Sequence, residues 1–272
     1  MIFQAIRSTL FYLVFFIQTV FWAVVVGLMS RIAPNRRDIG WGIALFWNAT
    51  TLFLLRWLAG IRSQVTGMEN IPEGGCIIAS KHMSDWDIYA ILPHAGQPAF
   101  IAKKELLDIP LFGWAARWLY TISVDRKRGR NAFPLMLEEA REKLALGCRI
   151  VIFPEGTRKA PLEEPAYRSG LARMYVELGV PVVPVALTSG LYWGRNSLIL
   201  WPGTARARFL PPIAPGLGQE DFQRVLTETI ERETNSMILE DAGKGLSRPI
   251  TPRLRARLNA LEAEAAKPDL AI

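Results

Sequence analysis

The sequence has few of the residues that usually build metal sites and disulfide frameworks. Only two of its 272 residues are cysteine and only two are histidine. Cys76 and Cys148 form no closely spaced pair, so neither a disulfide framework nor a zinc site is expected. A reducing compartment is the default for such a chain, and we predict no metal and no bound cofactor.

Three common motifs are also missing. The chain contains no Walker A loop, no Gly-x-Gly-x-x-Gly fingerprint and no Gly-x-Ser-x-Gly elbow. The missing elbow argues against a covalent serine hydrolase. Because His82 and His94 are the only histidines, chemistry that uses an imidazole has just two candidates.

Positive charge exceeds negative charge along the chain. The net charge is +7 and the isoelectric point is about 9.6, a balance that suits nucleic acid, an anionic membrane or a phosphorylated substrate. A nucleic-acid surface would interleave basic residues with aromatics on a polar face. Here the basic residues are scattered among apolar segments, so we predict membrane lipid and a phosphorylated substrate as partners, and no nucleic acid.

The amino-terminal region is strongly apolar. Residues 8–30 carry no charged side chain, and these 23 residues are long enough to cross a bilayer, which needs about 20. No good small-residue cleavage site is present, so a secretory signal is not expected. A second apolar stretch, 40–55, has 16 residues and includes polar ones, which makes it short for a span. We predict membrane-anchoring helices over residues 1–60.

Two topologies remain open for this anchor. In one, the first helix spans the bilayer and the second lies along the cytoplasmic interface. In the other, both helices form a hairpin that dips into one leaflet. Arg31, Arg36 and Arg37 lie between the two apolar stretches, and positive residues favour the cytoplasmic side. The predicted location is a bacterial-type inner (cytoplasmic) membrane, with the catalytic domain facing the cytoplasm.

From residue 61 onward, short apolar runs alternate with segments of helical periodicity. The runs that predict strands include 64–67, 76–79, 99–102, 120–124, 148–153 and 180–187. This alternation predicts an α/β fold, a mostly parallel mixed sheet with helices on both faces, preceded by the apolar helical anchor. We expect the α/β domain to cover residues 61–245 and a helical tail to cover 246–272.

One histidine follows the run 76–79, where a buried strand should end. Ser84 and Asp87 have the spacing of a capping box, so a helix is predicted to start near Ser84. With His82 in the loop before the cap and Asp87 in the first turn, the two side chains can meet. A carboxylate on one ring nitrogen fixes the tautomer and leaves the other nitrogen free as a base. Asp85 is a rival carboxylate, but the spacing favours Asp87.

A second group of polar residues follows the run 148–153, where the chain continues as Pro-Glu-Gly-Thr-Arg. Gly156 permits a tight turn and a close approach of the backbone. Thr157 offers a hydroxyl. Arg158 offers a planar fork that matches a phosphate bidentately.

Together these two groups resemble the signatures of the glycerolipid acyltransferases, most closely the 1-acyl-glycerol-3-phosphate acyltransferases, over roughly residues 65–186. The resemblance implies that His82 is the general base and that Asp87 orients it. It also implies that Arg158 holds the acceptor phosphate. The implied substrate-binding residues are Arg158, Glu155, Gly156, Thr157 and Lys104.

Lys104 enters this set through a third segment, Lys-Lys-Glu-Leu followed by Pro-Leu-Phe-Gly-Trp, which resembles the family's intermediate signature. There it would bind phosphate or polarise the thioester carbonyl. The run 182–185 resembles the fourth, apolar signature, although a plain core strand explains it equally well. One departure is that family members often carry Asn before the catalytic histidine, whereas this chain has Lys81.

The resemblance implies an enzyme, a 1-acylglycerol-3-phosphate O-acyltransferase bound to a membrane. It would move a fatty acyl group from acyl-CoA or acyl carrier protein, used as co-substrate, to the free hydroxyl of lysophosphatidic acid. The product would be phosphatidic acid, for phospholipid synthesis. Other acceptors remain open: a lyso-ornithine lipid, another lysophospholipid or glycerol 3-phosphate. A non-catalytic lipid-binding membrane protein is the alternative from another class.

Overall fold

The computed structural model describes residues 1–265, apart from the side chains of Arg126, Arg128 and Arg130. Within these residues the chain forms nine α-helices and seven β-strands. The helices are, in chain order, α1 Ile2–Ile32, α2 Arg37–Leu54, α3 Trp86–Ile91, α4 Lys104–Leu107, α5 Phe112–Trp118, α6 Ala132–Ala145, α7 Gly170–Leu178, α8 Gln219–Gly243 and α9 Pro252–Ala265. The strands are β1 Ile61–Thr66, β2 Ile77–Ser80, β3 Pro98–Lys103, β4 Ile122–Val124, β5 Arg149–Ile152, β6 Val182–Leu187 and β7 Gly203–Phe209.

The seven strands form one sheet in the order β1-β7-β6-β2-β5-β3-β4. Five neighbouring pairs run parallel, and only the pair β6 and β7 runs antiparallel among the described strands. The predicted mostly parallel mixed sheet is therefore confirmed. Crossover connections of this kind place helices on the faces of a sheet, which explains why the central strands are almost wholly apolar.

Helices cover both faces of the sheet, as predicted. Alternate residues of β2 point to opposite sides, so Ile77 packs into one core cluster and Ile78 into the other. The cluster around Ile77 takes side chains from α6, α7 and the first half of α8: Met136, Leu171 and Phe222. The cluster around Ile78 takes side chains from α1, α3 and α9: Phe11, Trp86 and Leu254.

The first helix lies along the α/β domain. Near its start, Gln4 donates its side-chain amide to the Leu200 carbonyl, in the segment before β7. Near its end, Gly27 lies so close to Leu111 that an added Cβ would be 2.6 Å from the Leu111 oxygen. Both α1 and the second apolar helix, Arg37–Ala59, are long and apolar enough to cross a membrane. The expectation that the second stretch is short for a span is therefore wrong, because the helix extends beyond 40–55 at both ends and has 23 residues. Their outer surface exposes large apolar side chains, among them Phe16, Ile17, Val20, Phe46, Phe53 and Trp57.

Three parallel strands end at the same edge of the sheet, and each is followed by a predicted site residue. His82 follows β2, Glu155 follows β5 and Lys104 follows β3. In open α/β sheets, ligands bind beyond the carboxyl ends of the strands. The topology therefore collects these three segments at the edge where a site is expected.

Element boundaries differ slightly from the prediction. The helix expected near Ser84 begins at Trp86, whose N–H donates to the Ser84 Oγ at 3.1 Å. The predicted tail 246–272 contains α9, and its last residues, 266–272, lie outside the described residues. A π-helical turn, Leu55–Ala59, precedes β1. The division into units 1–60, 61–245 and 246–272 stays a prediction.

Candidate active site

His82 lies in the loop after β2, with its ring held on two sides. Its Nδ1 is 2.9 Å from Oδ2 of Asp87, and the ring stacks on Phe153 with 4.0 Å between ring centres. The side chain is 16% exposed, so it lies at the surface of the cleft without being freely solvated. Because Nδ1 is bound by the carboxylate, Nε2 is the nitrogen left to act on a substrate.

Asp87 is completely buried and accepts several hydrogen bonds. Besides the His82 ring, its Oδ2 accepts the backbone N–H groups of Met83 at 2.7 Å and Ser84 at 3.0 Å. Its Oδ1 accepts the hydroxyls of Ser84 and Ser189. These donors fix the carboxylate, and a fixed carboxylate fixes the tautomer and the plane of the imidazole. The Asp87 side chain thus binds the backbone N–H groups that precede α3 and also orients His82.

The rival carboxylate has a different partner. Asp85 accepts a hydrogen bond from Arg158, with Nη1 2.8 Å from Oδ2. Burial raises the pKa of Asp85, and the nearby Arg158 charge partly offsets that rise. Asp87, the carboxylate that the spacing favours, is therefore the hydrogen-bond partner of the His82 ring, and Asp85 is the partner of Arg158.

The turn after β5 returns the chain toward His82. Gly156 adopts φ +64°, the left-handed region that glycine enters without steric cost, and its N–H donates to the Phe153 carbonyl at 2.9 Å. After this turn, the Lys159 N–H donates to the His82 carbonyl at 2.8 Å. This bond and the pair between Arg158 and Asp85 join the two signature loops, so they form one cleft rather than two separate surfaces.

Glu155, predicted to bind substrate, has a fully buried side chain that holds the loop of His82. A direct contact with substrate stays a prediction. One carboxylate oxygen accepts the backbone N–H of His82 at 3.0 Å, and the other lies 3.1 Å from Nζ of Lys81. Burial raises the pKa of Glu155, and the positive charge of Lys81 opposes that rise.

Lys81 is itself buried and is shared between two carboxylates. Its Nζ also contacts Glu231 of α8 at 2.5 Å, and Tyr167 donates its hydroxyl to the same Glu231 oxygen at 2.8 Å. The departure noted at Lys81 thus has a structural explanation. A cation in this position gives two acidic groups a shared positive partner, without which Glu155 and Glu231 would lie inside the protein with no opposite charge.

Lys104 lies at the same edge of the sheet but at some distance from His82. Strand β3 is separated from β2 by β5, so two strand spacings, about 10 Å, separate them. The ammonium of Lys104 is 3.3 Å from Asp108 and 3.8 Å from Asp125, and the side chain is 43% exposed. Thr157 is partly exposed in the loop before Arg158. Both remain available to a substrate that extends across the edge.

Sequence reasoning missed two contributors. Ser189 follows β6 and reaches Asp87 from a segment 102 residues further along the chain. Its only sequence signal is its place after a buried strand, at the edge where sites gather. Glu231 lies in the middle of α8 and carries no signal, because its partner Lys81 is 150 residues away. Among the described residues, no group of three or more His, Cys, Asp or Glu could hold a metal ion.

The fold and the cleft define an α/β protein of the acyltransferase class, with a His–Asp pair beside a phosphate-matching arginine. A family model described as Acyltransferase matches residues 62–188. A 1-acyl-sn-glycerol-3-phosphate acyltransferase of Pseudomonas aeruginosa is 35% identical over 201 residues, 74% of this chain and 78% of that one. The alpha form from Mus musculus is 30% identical over 198 residues, 70% and 68% of the two chains.

The crystal structure of the 1-acyl-sn-glycerophosphate (LPA) acyltransferase PlsC from Thermotoga maritima has the same fold. Its TM-score is 0.71 at 26% sequence identity, over 86% of this chain and 97% of that one. The chain belongs to the 1-acyl-sn-glycerol-3-phosphate acyltransferase family. The resemblance read from the two signatures is therefore confirmed.

Proposed function

We propose that this chain is a membrane-associated acyltransferase that acts on lysophosphatidic acid. It moves a fatty acyl group from an acyl thioester to the free hydroxyl of the lysolipid and so forms phosphatidic acid. The names of its relatives support this acceptor. The single observation that carries the proposal is the His82–Asp87 pair at 2.9 Å, in a loop bonded to the loop of Arg158.

The reaction is a direct transfer with His82 as the base. Nε2 takes the proton of the acceptor hydroxyl while its oxygen attacks the thioester carbonyl. The tetrahedral intermediate then expels the thiolate, which takes the proton from the imidazolium and leaves as the free thiol. Asp87 stabilises the charged ring and keeps its tautomer fixed. General-base catalysis of this kind contributes about 10²–10⁴-fold. The donor, acyl-CoA or acyl carrier protein, is a co-substrate, and the scheme uses no metal or bound cofactor.

Arg158 positions the acceptor in this scheme. Its guanidinium is 29% exposed, close enough to solvent to meet a phosphate and sheltered enough to hold it firmly. Gly156 and Thr157 present the loop on which the phosphate rests. Lys104 lies two strands away from His82, where it binds a second charged group of the substrate or polarises the thioester carbonyl. An oriented hydroxyl reacts faster because its entropy is lost on binding rather than in the reaction step.

The packing of α1 favours a hairpin that enters one leaflet over a helix that spans the bilayer. Contacts with the α/β domain occur near both ends of α1, at Gln4, which donates to the Leu200 carbonyl, and at Gly27. These positions are about 35 Å apart along the helix, more than the thickness of the hydrocarbon core. A spanning α1 would draw the domain into the membrane with it. The positive residues Arg31, Arg36 and Arg37 support a cytoplasmic-membrane location with the domain facing the cytoplasm.

The test is to give the purified full-length protein a radiolabelled acyl donor and a panel of lysolipids, and to identify the product. Labelled phosphatidic acid from lysophosphatidic acid is the expected result, with both donors compared. His82→Ala should abolish it at equal protein amount and equal membrane association. Unchanged transfer by that variant would refute the assigned base. Arg158→Lys should impair phosphate-bearing acceptors more than a lyso-ornithine lipid.

A further inference from the structure

Four large apolar side chains are exposed within nine residues of the catalytic domain. Leu106, Ile109, Phe112 and Trp114 expose 46%, 48%, 38% and 38% of their surface. They lie on α4, on the turn after it and on the first half of α5, and are called the α4–α5 surface below. Exposed apolar residues that are grouped in this way usually mark an interaction surface, whereas single scattered ones do not.

The α4–α5 surface adjoins the end of α1. Leu111, between α4 and α5, packs against Gly27, where no side chain would fit. Trp114 lies under the guanidinium of Arg31, with 4.5 Å between Cζ and the ring centre. The last turns of α1 expose Leu28 and Ile32, which are 45% and 81% exposed. The apolar outer surface of α1 therefore continues onto the catalytic domain.

The turn that presents these side chains is firmly held. Leu111 has φ +64°, which is a rare and costly conformation for a residue with a side chain. The Phe112 N–H donates to the Pro110 carbonyl at 2.7 Å, and the Gly113 N–H donates to Ile109 at the same distance. Such a turn persists because its surroundings require it. It keeps the apolar side chains outward instead of letting them fold onto the core.

Charged residues around the surface match a lipid headgroup layer. The cations are Arg31, Lys103, Lys104 and Arg117, and the acidic residues are Glu105, Asp108 and Asp125. Positive charge thus exceeds negative charge at this rim, which suits anionic lipid. A tryptophan paired with an arginine at the border of an apolar surface is the arrangement found where proteins meet the membrane interface.

We propose that the α4–α5 surface is a second membrane contact, made by the catalytic domain itself, with a lipid bilayer as its partner. Continuity with α1 and the cationic rim favour lipid over a second copy of the chain. Since β3 ends at Lys103, the contact lies at the same edge of the sheet as His82. It would hold the cleft toward the lipid surface. Only this orienting role rests on the proposed function.

Labelling can test the contact without any activity measurement. Cys76 and Cys148 are fully buried, so a single introduced cysteine can be labelled selectively with a polarity-sensitive dye. We would compare Ile109→Cys with Leu146→Cys, a 59% exposed leucine placed just before β5, at the opposite edge of the sheet. The full-length protein is reconstituted in phosphatidylcholine–phosphatidylglycerol vesicles that carry nitroxide-labelled lipid.

The expected result is a blue-shifted dye at position 109 that lipid nitroxide quenches at least about threefold more than the dye at position 146. Equal quenching at both positions, or equal access to aqueous iodide, would overturn the contact. So would dye-to-dye quenching at position 109 in detergent without lipid, because a second copy would then cover the surface.

A kinetic comparison tests the orienting role. The pair Leu106→Gln/Ile109→Gln should turn over vesicle-resident lysophosphatidic acid about three- to tenfold more slowly than Leu146→Gln. A short-chain acceptor kept below its critical micelle concentration should be used within about twofold by both variants. Equal rates on vesicles would refute the orienting role. If the parent protein acylates neither acceptor, the proposed function fails, while the labelling result still decides the contact.

Discussion

Arg158 and Asp85 form an ion pair across the mouth of the site, with 2.8 Å between Nη1 and Oδ2. Asp85 thereby sits where the acceptor phosphate is proposed to bind, and an incoming phosphate must displace it or share the guanidinium with it. Arg158 and Asp85 are 29% and 45% exposed, so the pair is weak enough to exchange.

Replacing Asp85 should therefore improve acceptor binding. We expect Asp85→Asn to lower the KM for lysophosphatidic acid about two- to fivefold, because it removes both a competitor and a negative charge. The turnover number should change little, since Asp87 still holds the ring. Initial rates over a range of acceptor concentrations measure both constants. Asp38→Asn, in an exposed pair with Arg36, is the matched control. A KM that rises in Asp85→Asn would show that Asp85 orients the arginine instead.

The same pair predicts a pH dependence. Burial raises the pKa of Asp85 above its ordinary value, so this carboxyl takes up its proton at a higher pH than a solvated aspartate. A protonated aspartic acid is neutral, like asparagine. The ratio of the KM of the parent protein to that of Asp85→Asn should therefore approach one as the pH falls. Titration of the substrate phosphate occurs with both proteins, so it cancels from the ratio. A ratio that stays constant with pH contradicts the prediction.

The bond between His82 and Asp87 should matter for turnover rather than for binding. Asp87→Asn places an amide N–H₂ group among the N–H and O–H donors that now bind the carboxylate. Donors cannot bind one another, so the ring loses the acceptor that fixes its tautomer. We expect the turnover number to fall about 10²–10⁴-fold with the acceptor KM nearly unchanged. Steady-state kinetics at saturating donor separate the two constants, and circular dichroism checks the fold. A turnover number within threefold of the parent value would mean that Asp87 only caps α3.

Ser189 should support Asp87 from the other side. Its hydroxyl donates to the buried carboxylate, and hydrogen bonds to charged groups are worth about 1.5–3 kcal/mol. Ser189→Ala should lower the free energy of unfolding by an amount in that range, measured by denaturant titration. Ser247→Ala removes an exposed hydroxyl bonded to a neutral carbonyl, so it should cost less. Equal losses of unfolding free energy in Ser189→Ala and Ser247→Ala would argue against a stabilising bond from Ser189 to Asp87.

Sequence reasoning found the parts of the site that are local along the chain. Two loops after buried strands, at His82 and Arg158, carry patterns that can be read without a structure. The alternation of apolar runs and helical periodicity likewise predicted the sheet. What escaped was the pairing of distant residues: Glu231 with Lys81, and Ser189 with Asp87. Such contacts depend on the order of strands and the path of α8, which no local pattern records.

Glu155 shows a further limit. Its place between Pro154 and Gly156 in a polar loop reads as a residue facing substrate, yet the side chain turns inward to meet Lys81. Burial depends on what lies behind the loop, here α8 and Tyr167, and those elements are far away in sequence.

The buried cation should therefore be essential for stability. Lys81→Met leaves Glu155 and Glu231 without their shared positive charge, and breaking a buried ion pair in this way costs about 3–5 kcal/mol. Lys103→Met, on an exposed lysine, should cost far less.

The effect of Lys81→Met should depend on pH. Folding raises the pKa of Glu155, so the ionised carboxylate reduces the free energy of unfolding above its folded pKa. When the pH falls through that pKa the carboxyl is protonated, and this loss of stability disappears. The loss in Lys81→Met should thus shrink as the pH falls. Denaturant titrations of both variants over a pH series measure it, and equal losses at every pH would contradict the role of the charge.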